Sequence, residues 1–261
     1  KLQMTLTETF KSFLKSEKTG GILLIGCTLL SLSISNSSLS TSYISFWNTD
    51  IGGHSATHWI NDGLMAIFFL LIGLELEREV YVGELSSLRN ALFPVVSAIG
   101  GVVVPAGIFL IYNYGSHTQS GAGIPMATDI AFAIGILSLL GKTVPPALKV
   151  FLTALAVIDD LCAIIVIALF YTNEISIFYL SVSLVIFIVL LILNRMKFYF
   201  LPVYLIGGAA MWYFMLHSGV HATLSGVLLA FAIPFQKGEP SSISHKLEHF
   251  LHKPVAFLIL P

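Results

Sequence analysis

Three aspartates carry the chemistry open to this sequence: Asp129 and the adjacent pair Asp159 and Asp160. Each falls inside a run of apolar residues, whereas most other acidic residues lie in loops or at the ends of such runs. A charged aspartate at the centre of a membrane-spanning helix costs roughly 2.5–3.5 kcal/mol on insertion scales, so such residues face a polar cavity and mark an ion or proton path. The plain alternative is a protonated, hydrogen-bonded structural carboxylate, and three acids at one depth argue against it. On a helix, neighbouring residues project about 100° apart, so Asp159 and Asp160 flank a cavity at a helix interface rather than pointing along one line. Carboxylates in a partly dehydrated cavity suit protons or a hard monovalent cation. Calcium also takes oxygen ligands, but wants more of them than the sequence supplies here.

The approach to Asp129 is irregular, with Gly121, Gly123 and Pro125 ahead of Thr128. Glycines and a proline can break a spanning helix, and neighbouring protein must then satisfy the freed backbone groups. Thr128 and Asp129 are good caps for a half-helix starting there, and Asp129 would offset its positive end. A simple proline kink is the alternative.

Other polar clusters sit at the ends of the apolar runs. Asp62 lies near one end of the second run, where an interfacial cap is the plain reading. Glu75, Glu77, Arg78 and Glu79 crowd the other end, as a solvated ion-pair cluster or a mouth that gathers cations. His245, His249 and His252 follow i, i+4, i+7 spacing beside Glu248, either as a solvated helix face or as a proton-sensing set, because histidine titrates near physiological pH. His217 and His221 are four apart, but Gly219 between them argues against zinc ligation. Cys27 and Cys162 are too few for a disulfide framework and read as small packing residues.

The elements that must position these groups are membrane helices. Of the 261 residues, 56% are hydrophobic and 10% are charged, against about 25% charged in soluble domains. The net charge of −1 offers no basic face to nucleic acid. A bilayer core needs about 20 predominantly apolar residues per helix. The candidate spans are 19–35, 58–76, 91–112, 121–140, 148–171, 175–193, 200–216 and 219–235, and a ninth begins near Pro254. With eight spans, all thirteen Lys and Arg residues fall on one side, which the positive-inside rule makes the cytoplasm. The chain is therefore expected to be all-α and polytopic, a single transmembrane domain over 1–261, broken at span four, with a cytoplasmic N-terminus. No signal peptide is evident. The loop 36–57 carries a Gly52–Gly53 turn signal with weak strands at most.

These residues resemble the NhaA family of bacterial sodium/proton antiporters. The resemblance rests on Ala127–Ala133 (Ala-Thr-Asp-Ile-Ala-Phe-Ala), Ala156–Asp160 (Ala-Val-Ile-Asp-Asp), Trp59–Asp62, Phe68–Glu75 and Ser218–Thr223, and runs from about Gly20 to Pro261. The family, itself a type case of the architecture, is built from inverted repeats with discontinuous helices at mid-membrane. The resemblance implies exchange of cytoplasmic Na⁺ or Li⁺ for external H⁺ by alternating access in the bacterial inner membrane, regulated by pH and needing no cofactor. It implies that Asp159 and Asp160 carry the cation and protons, with Asp129 and Thr128 at the crossing of broken helices. Asp62 would line the outer funnel. Glu75, Arg78, Glu79, Glu248, His249 and His252 would form a cytoplasmic pH-sensing region, with His221 tuning it.

The sequence departs from the family pattern in three places. The family has twelve spans, and this sequence ends as the ninth begins, before the second broken helix and the lysine that faces the aspartate pair. On that reading residues 1–261 alone would insert without transporting. The loop-one segment is shorter than the family's β-hairpin, which makes homodimer contacts. Glu77 stands where a basic residue is usual, which makes the inner mouth more acidic.

Two rivals come from other classes. An intramembrane aspartic protease also uses aspartates on neighbouring spans, but in Tyr-Asp and Gly-x-Gly-Asp contexts, where this chain has Ala-Thr-Asp and Ile-Asp-Asp. The other is an inactive membrane fragment or scaffold.

Overall fold

The computed structural model describes residues 17–82, 86–126, 128, 133, 136–137, 144–145, 148, 151–152, 154–155, 158–159, 162, 166, 175–236 and 242–261. The described chain is mostly helical. Asp129, Asp160 and most of the expected spans 121–140 and 148–171 lie outside the described residues.

The first helix, α1 (Glu17–Ser35), is followed after a sharp bend by α2 (Ser40–Trp47); the two axes differ by 118°. Here the expected loop contains a helix. The strands β1 (Asp50–Ile51) and β2 (His54–Ser55) then form a minimal antiparallel hairpin around Gly52 and Gly53. Both glycines have positive φ, 68° and 93°, the backbone that the tight hairpin turn demands and that only glycine adopts freely.

The helix α3 (Ala56–Tyr81) opens with Ser55 as its cap, whose hydroxyl accepts from the His58 amide, and passes through a π-helical stretch at Trp59–Leu64. It runs past the expected end at residue 76. Glu75, Glu77, Arg78 and Glu79 stop an apolar window but are good helix formers. Two long apolar helices follow in the described chain, α4 (Leu88–Asn113) and α5 (Ile177–Arg195). Between them a 3₁₀ segment, Gln119–Met126, contains Pro125 and ends just before Thr128. Among the described residues α3, α4 and α5 are long and apolar enough to cross a membrane, as is the bent pair α1–α2 if taken as one span.

The chain continues through α6 (Leu201–Leu216) and α7 (Leu224–Ala232). The expected span 219–235 is thus helical only over its centre, because Gly219 turns at φ 83°. Last come α8 (Ile243–Pro254) and a π-helical stretch at Val255–Ile259.

The core forms where α3, α5, α6, α7 and α8 meet, around Leu70, Leu74, Leu190, Tyr204, Met211, Ala230 and Leu251. Its closest crossing joins α3 to α7. Gly226 sits against the Ala66 carbonyl and the Leu70 amide, and Gly73 against Val227 and Ala230. Small residues let helices approach closely where lipid offers no hydrophobic drive to associate. Polar ties add to this packing. Ser183 donates to the Met211 carbonyl at 3.1 Å, and Asn194 to the Ala232 carbonyl at 3.1 Å.

The C-terminus of α5 closes in a Schellman motif, with Phe198 N donating to the Leu193 carbonyl and Lys197 N to the Asn194 carbonyl. This places Lys197 at φ 58°, in the left-handed region that costs a side-chain-bearing residue roughly 1–2 kcal/mol. Lys197→Gly is therefore expected to stabilise the folded chain by about 1 kcal/mol. A rise in the melting temperature of the detergent-solubilised protein checks it, and an unchanged or lower value would rule out strain at this residue.

Candidate functional site

Asp159 is 3% exposed, although it belongs to the residue types most costly to bury. It is in helical conformation on a stretch whose neighbours Ile158 and Ala154 are also buried. Thr128 Oγ1, at the end of the irregular segment that contains Pro125, donates a short hydrogen bond to Asp159 Oδ2. The other oxygen, Oδ1, is buried and has no hydrogen-bond partner among the described residues. The Thr128 hydroxyl keeps its lone pairs after donating. One carboxylate oxygen and one hydroxyl oxygen thus converge in a dry place. That set accepts a proton on the carboxylate or contributes oxygen ligands to a small cation. Asp129 and Asp160 neighbour this pair in sequence but lie outside the described residues.

A second cluster joins the end of α3 to α8. Arg78 Nη1 lies 3.3 Å from Glu248 Oε1, and Nη2 lies 3.6 Å from Glu79 Oε1. His245 Nδ1 approaches Glu248 Oε2 at 3.7 Å. Ser242 caps α8 by accepting from the His245 amide, which fixes the helix phase that presents Glu248 to Arg78. The histidine brought into the cluster is His245, whereas His249 and His252 are exposed on α8. The i, i+3 spacing of His245 and Glu248 was the available signal. Glu75 precedes Arg78 by one turn and is partly buried.

Asp62 lies at the opposite end of α3, within the π-helical stretch rather than as a cap. Its carboxylate is 3.2 Å from His58 Nδ1, and its backbone carbonyl accepts from Trp212 Nε1 at 2.6 Å, tying α6 to this turn. The His58 ring stacks on His54 with centroids 4.3 Å apart. The i, i+4 spacing of His58 and Asp62 marks this pair in the sequence. His221 precedes Gly226 by five residues, and Gly226 packs on Ala66. It therefore sits near the Asp62 end, while Arg78 lies twelve residues farther along α3, about 18 Å at 1.5 Å per residue. The structure does not bring His221 to the Arg78–Glu248 cluster.

Known proteins resemble this chain across nearly all of these positions. The family model described as Na⁺/H⁺ antiporter 1 matches residues 11–261. A protein of Flavobacterium johnsoniae named Na⁺/H⁺ antiporter NhaA 1 is 65% identical over 258 residues, covering 99% of this chain and 68% of that protein. The Na⁺/H⁺ antiporter NhaA of Flavobacterium psychrophilum is 64% identical, covering 99% of this chain and 67% of its own length. That of Dechloromonas aromatica is 62% identical over 262 residues, with 99% and 67% covered.

Proposed function

Since the chain belongs to the Na⁺/H⁺ antiporter 1 family and is a transporter that exchanges Na⁺ for H⁺, we propose that Asp159 is where the two ions compete. The buried Oδ1 of Asp159, which has no hydrogen-bond partner among the described residues, carries this reading. A carboxylate held out of water without a cation partner favours any bound positive charge, so Na⁺ and H⁺ exclude one another there. Thr128 supplies an oxygen ligand and orients the carboxylate. Asp160 and Asp129 complete the set, and Li⁺ fits the same oxygens. Membership of a transporter family removes the ground for a protease.

The wider reading assigns a role to each end. Asp62 lines the outer funnel. Glu75, Arg78, Glu79, Glu248, His249 and His252 form the inner pH-responsive region, with His221 modulating it from the outer side. The Arg78–Glu248 pair ties α3 to α8 and is what a change in local charge would loosen. The chain spans the bacterial inner membrane with its N-terminus in the cytoplasm. If two protons enter per Na⁺, the cycle carries net charge and the membrane potential drives it.

Thr128→Val tests the site. It removes the hydroxyl from Asp159 Oδ2 while nearly keeping the volume. Losing one hydrogen bond to a charged group costs about 1.5–3 kcal/mol, so half-saturating Na⁺ in everted vesicles is expected to rise by about tenfold or more. Thr128→Ser, which keeps the hydroxyl, restores the wild-type value. Equal Na⁺ dependence in Val and wild type would remove Thr128 from the site.

A further inference from the structure

Glu77 is a buried acid that the ion pairs of the inner cluster leave unmatched. The helix α3 meets α7 through Ala66, Leu70 and Gly73, and at about 100° per residue the next position on that stripe is Glu77. Contacts bracket its level. Gly73 lies against Val227 and Ala230, and beyond Glu77 the Tyr81 ring stacks on Phe235 with centroids 5.4 Å apart and planes 17° from parallel. Glu77 therefore lies beside the C-terminal end of α7.

Among the described residues the surroundings supply no protein cation. Glu77 is 4% exposed, and its Oε2 is buried without a hydrogen-bond partner among the described residues. Arg78 projects about 100° away on α3 and is engaged by Glu248 and Glu79. The helix α7 has no titratable side chain, and Arg195 at the end of α5 is exposed. Asn194 gives its amide to the Ala232 carbonyl. The end of α7 contributes negative character of its own. A helix C-terminus carries about half a negative charge; here the Leu229 and Ala230 carbonyls share the Ile233 amide, and each carbonyl oxygen that accepts one hydrogen bond keeps a second lone pair. A carboxylate and a helix C-terminus thus share one buried place, an arrangement that a positive ligand would neutralise.

We infer that Glu77 and the C-terminal carbonyls of α7 form a monovalent-cation site at the end of α3 remote from Asp62. The ligand set is all oxygen, which suits Na⁺ or Li⁺. With the proposed orientation, on which this part of the inference rests, the site lies near the cytoplasmic surface. There it holds Na⁺ before the ion reaches Asp159.

The decisive measurement removes the central carboxylates and needs no transport. In the full antiporter polypeptide carrying Asp159→Asn and Asp160→Asn, NaCl is expected to raise the melting temperature in detergent with a saturable dependence, while choline chloride does not. Adding Glu77→Gln, nearly isosteric and neutral, abolishes the Na⁺ shift, and adding Glu77→Asp instead leaves a weaker one. In everted vesicles Glu77→Gln alone raises half-saturating Na⁺ about tenfold, or ~1.4 kcal/mol. Melting that ignores Na⁺ in the Asp159→Asn, Asp160→Asn protein overturns the inference, and so does a Na⁺ shift that survives Glu77→Gln. Failure of the Asp159 reading would look different, as exchange that persists in Asp159→Asn with Glu77 intact.

Discussion

Asp159→Asn is expected to reduce Na⁺-dependent proton release from everted vesicles to the background of vesicles lacking the antiporter. Asparagine keeps the size and an acceptor oxygen, so the Thr128 hydroxyl still has a partner, but the charge is gone. A cation taken from water into a buried site loses hydration worth several kcal/mol per ion, and a facing negative charge is what offsets it. Losing about 4 kcal/mol of that offset corresponds to roughly a thousandfold in affinity. The proton half of the cycle fails as well, because an amide does not titrate. Folding is not expected to suffer. Asp159 Oδ1 has no partner to lose among the described residues, and removing a buried charge that no described cation pairs relieves a cost. The variant should therefore reach the membrane in normal yield and melt at or above the wild-type temperature. Wild-type exchange in well-folded Asp159→Asn would sink the assignment of Asp159 as the shared site.

Gly226→Ala is expected to cost most of the folded protein, although the change is a single methyl. A Cβ at this position would fall inside contact distance of the Ala66 carbonyl oxygen and 2.9 Å from the Leu70 amide nitrogen. Both obstacles are backbone on α3, so no rotamer change relieves them and the helices must separate. Separation also undoes the seat of Gly73 against Val227 and Ala230. Overpacking a core typically costs 1–3 kcal/mol, and a backbone-to-backbone clash belongs at about 3 kcal/mol or beyond. Gly101→Ala is the control, since nothing lies within 4 Å of that position on α4. There the better helix propensity of alanine is expected to leave stability unchanged or raise it by up to about 1 kcal/mol. Size-exclusion profiles of the solubilised variants decide it. If Gly226→Ala runs as a monodisperse peak at wild-type yield, the tight crossing is not what holds α3 to α7.

Several helices are legible in the amino-acid sequence, for a local reason. The apolar runs 19–35, 91–112, 175–193 and 200–216 reappear as helices within about three residues at each end, namely Glu17–Ser35, Leu88–Asn113, Ile177–Arg195 and Leu201–Leu216. Each is a continuous apolar stretch whose backbone must satisfy itself within the segment, so composition alone dictates a helix. Where the backbone departs from a straight rod, composition says less. The helix Ser40–Trp47 hides in a loop because it is short and mixed in polarity, and only its 118° bend from α1 separates it from the first span. The π-helical stretch at Trp59–Leu64 leaves no mark on hydropathy either.

Residue type and depth determined by themselves that Asp159 and its sequence neighbours are the costly residues. An acid in an apolar run is expensive wherever its helix happens to pack. The Gly52–Gly53 turn was equally readable, since glycine alone adopts two successive positive φ values without steric cost. Partnership is a different matter. That Thr128 faces Asp159 across 31 residues, that Arg78 reaches Glu248 but leaves Glu77 unmatched, and that Trp212 holds the Asp62 turn were decided only by tertiary structure. Adjacent residues differ by about 100° around a helix, so which of Glu75, Glu77, Arg78 or Glu79 meets a neighbour depends on how the helix is rotated. That rotation is fixed by distant close contacts such as Gly226 against Ala66, and no local pattern in α3 records it.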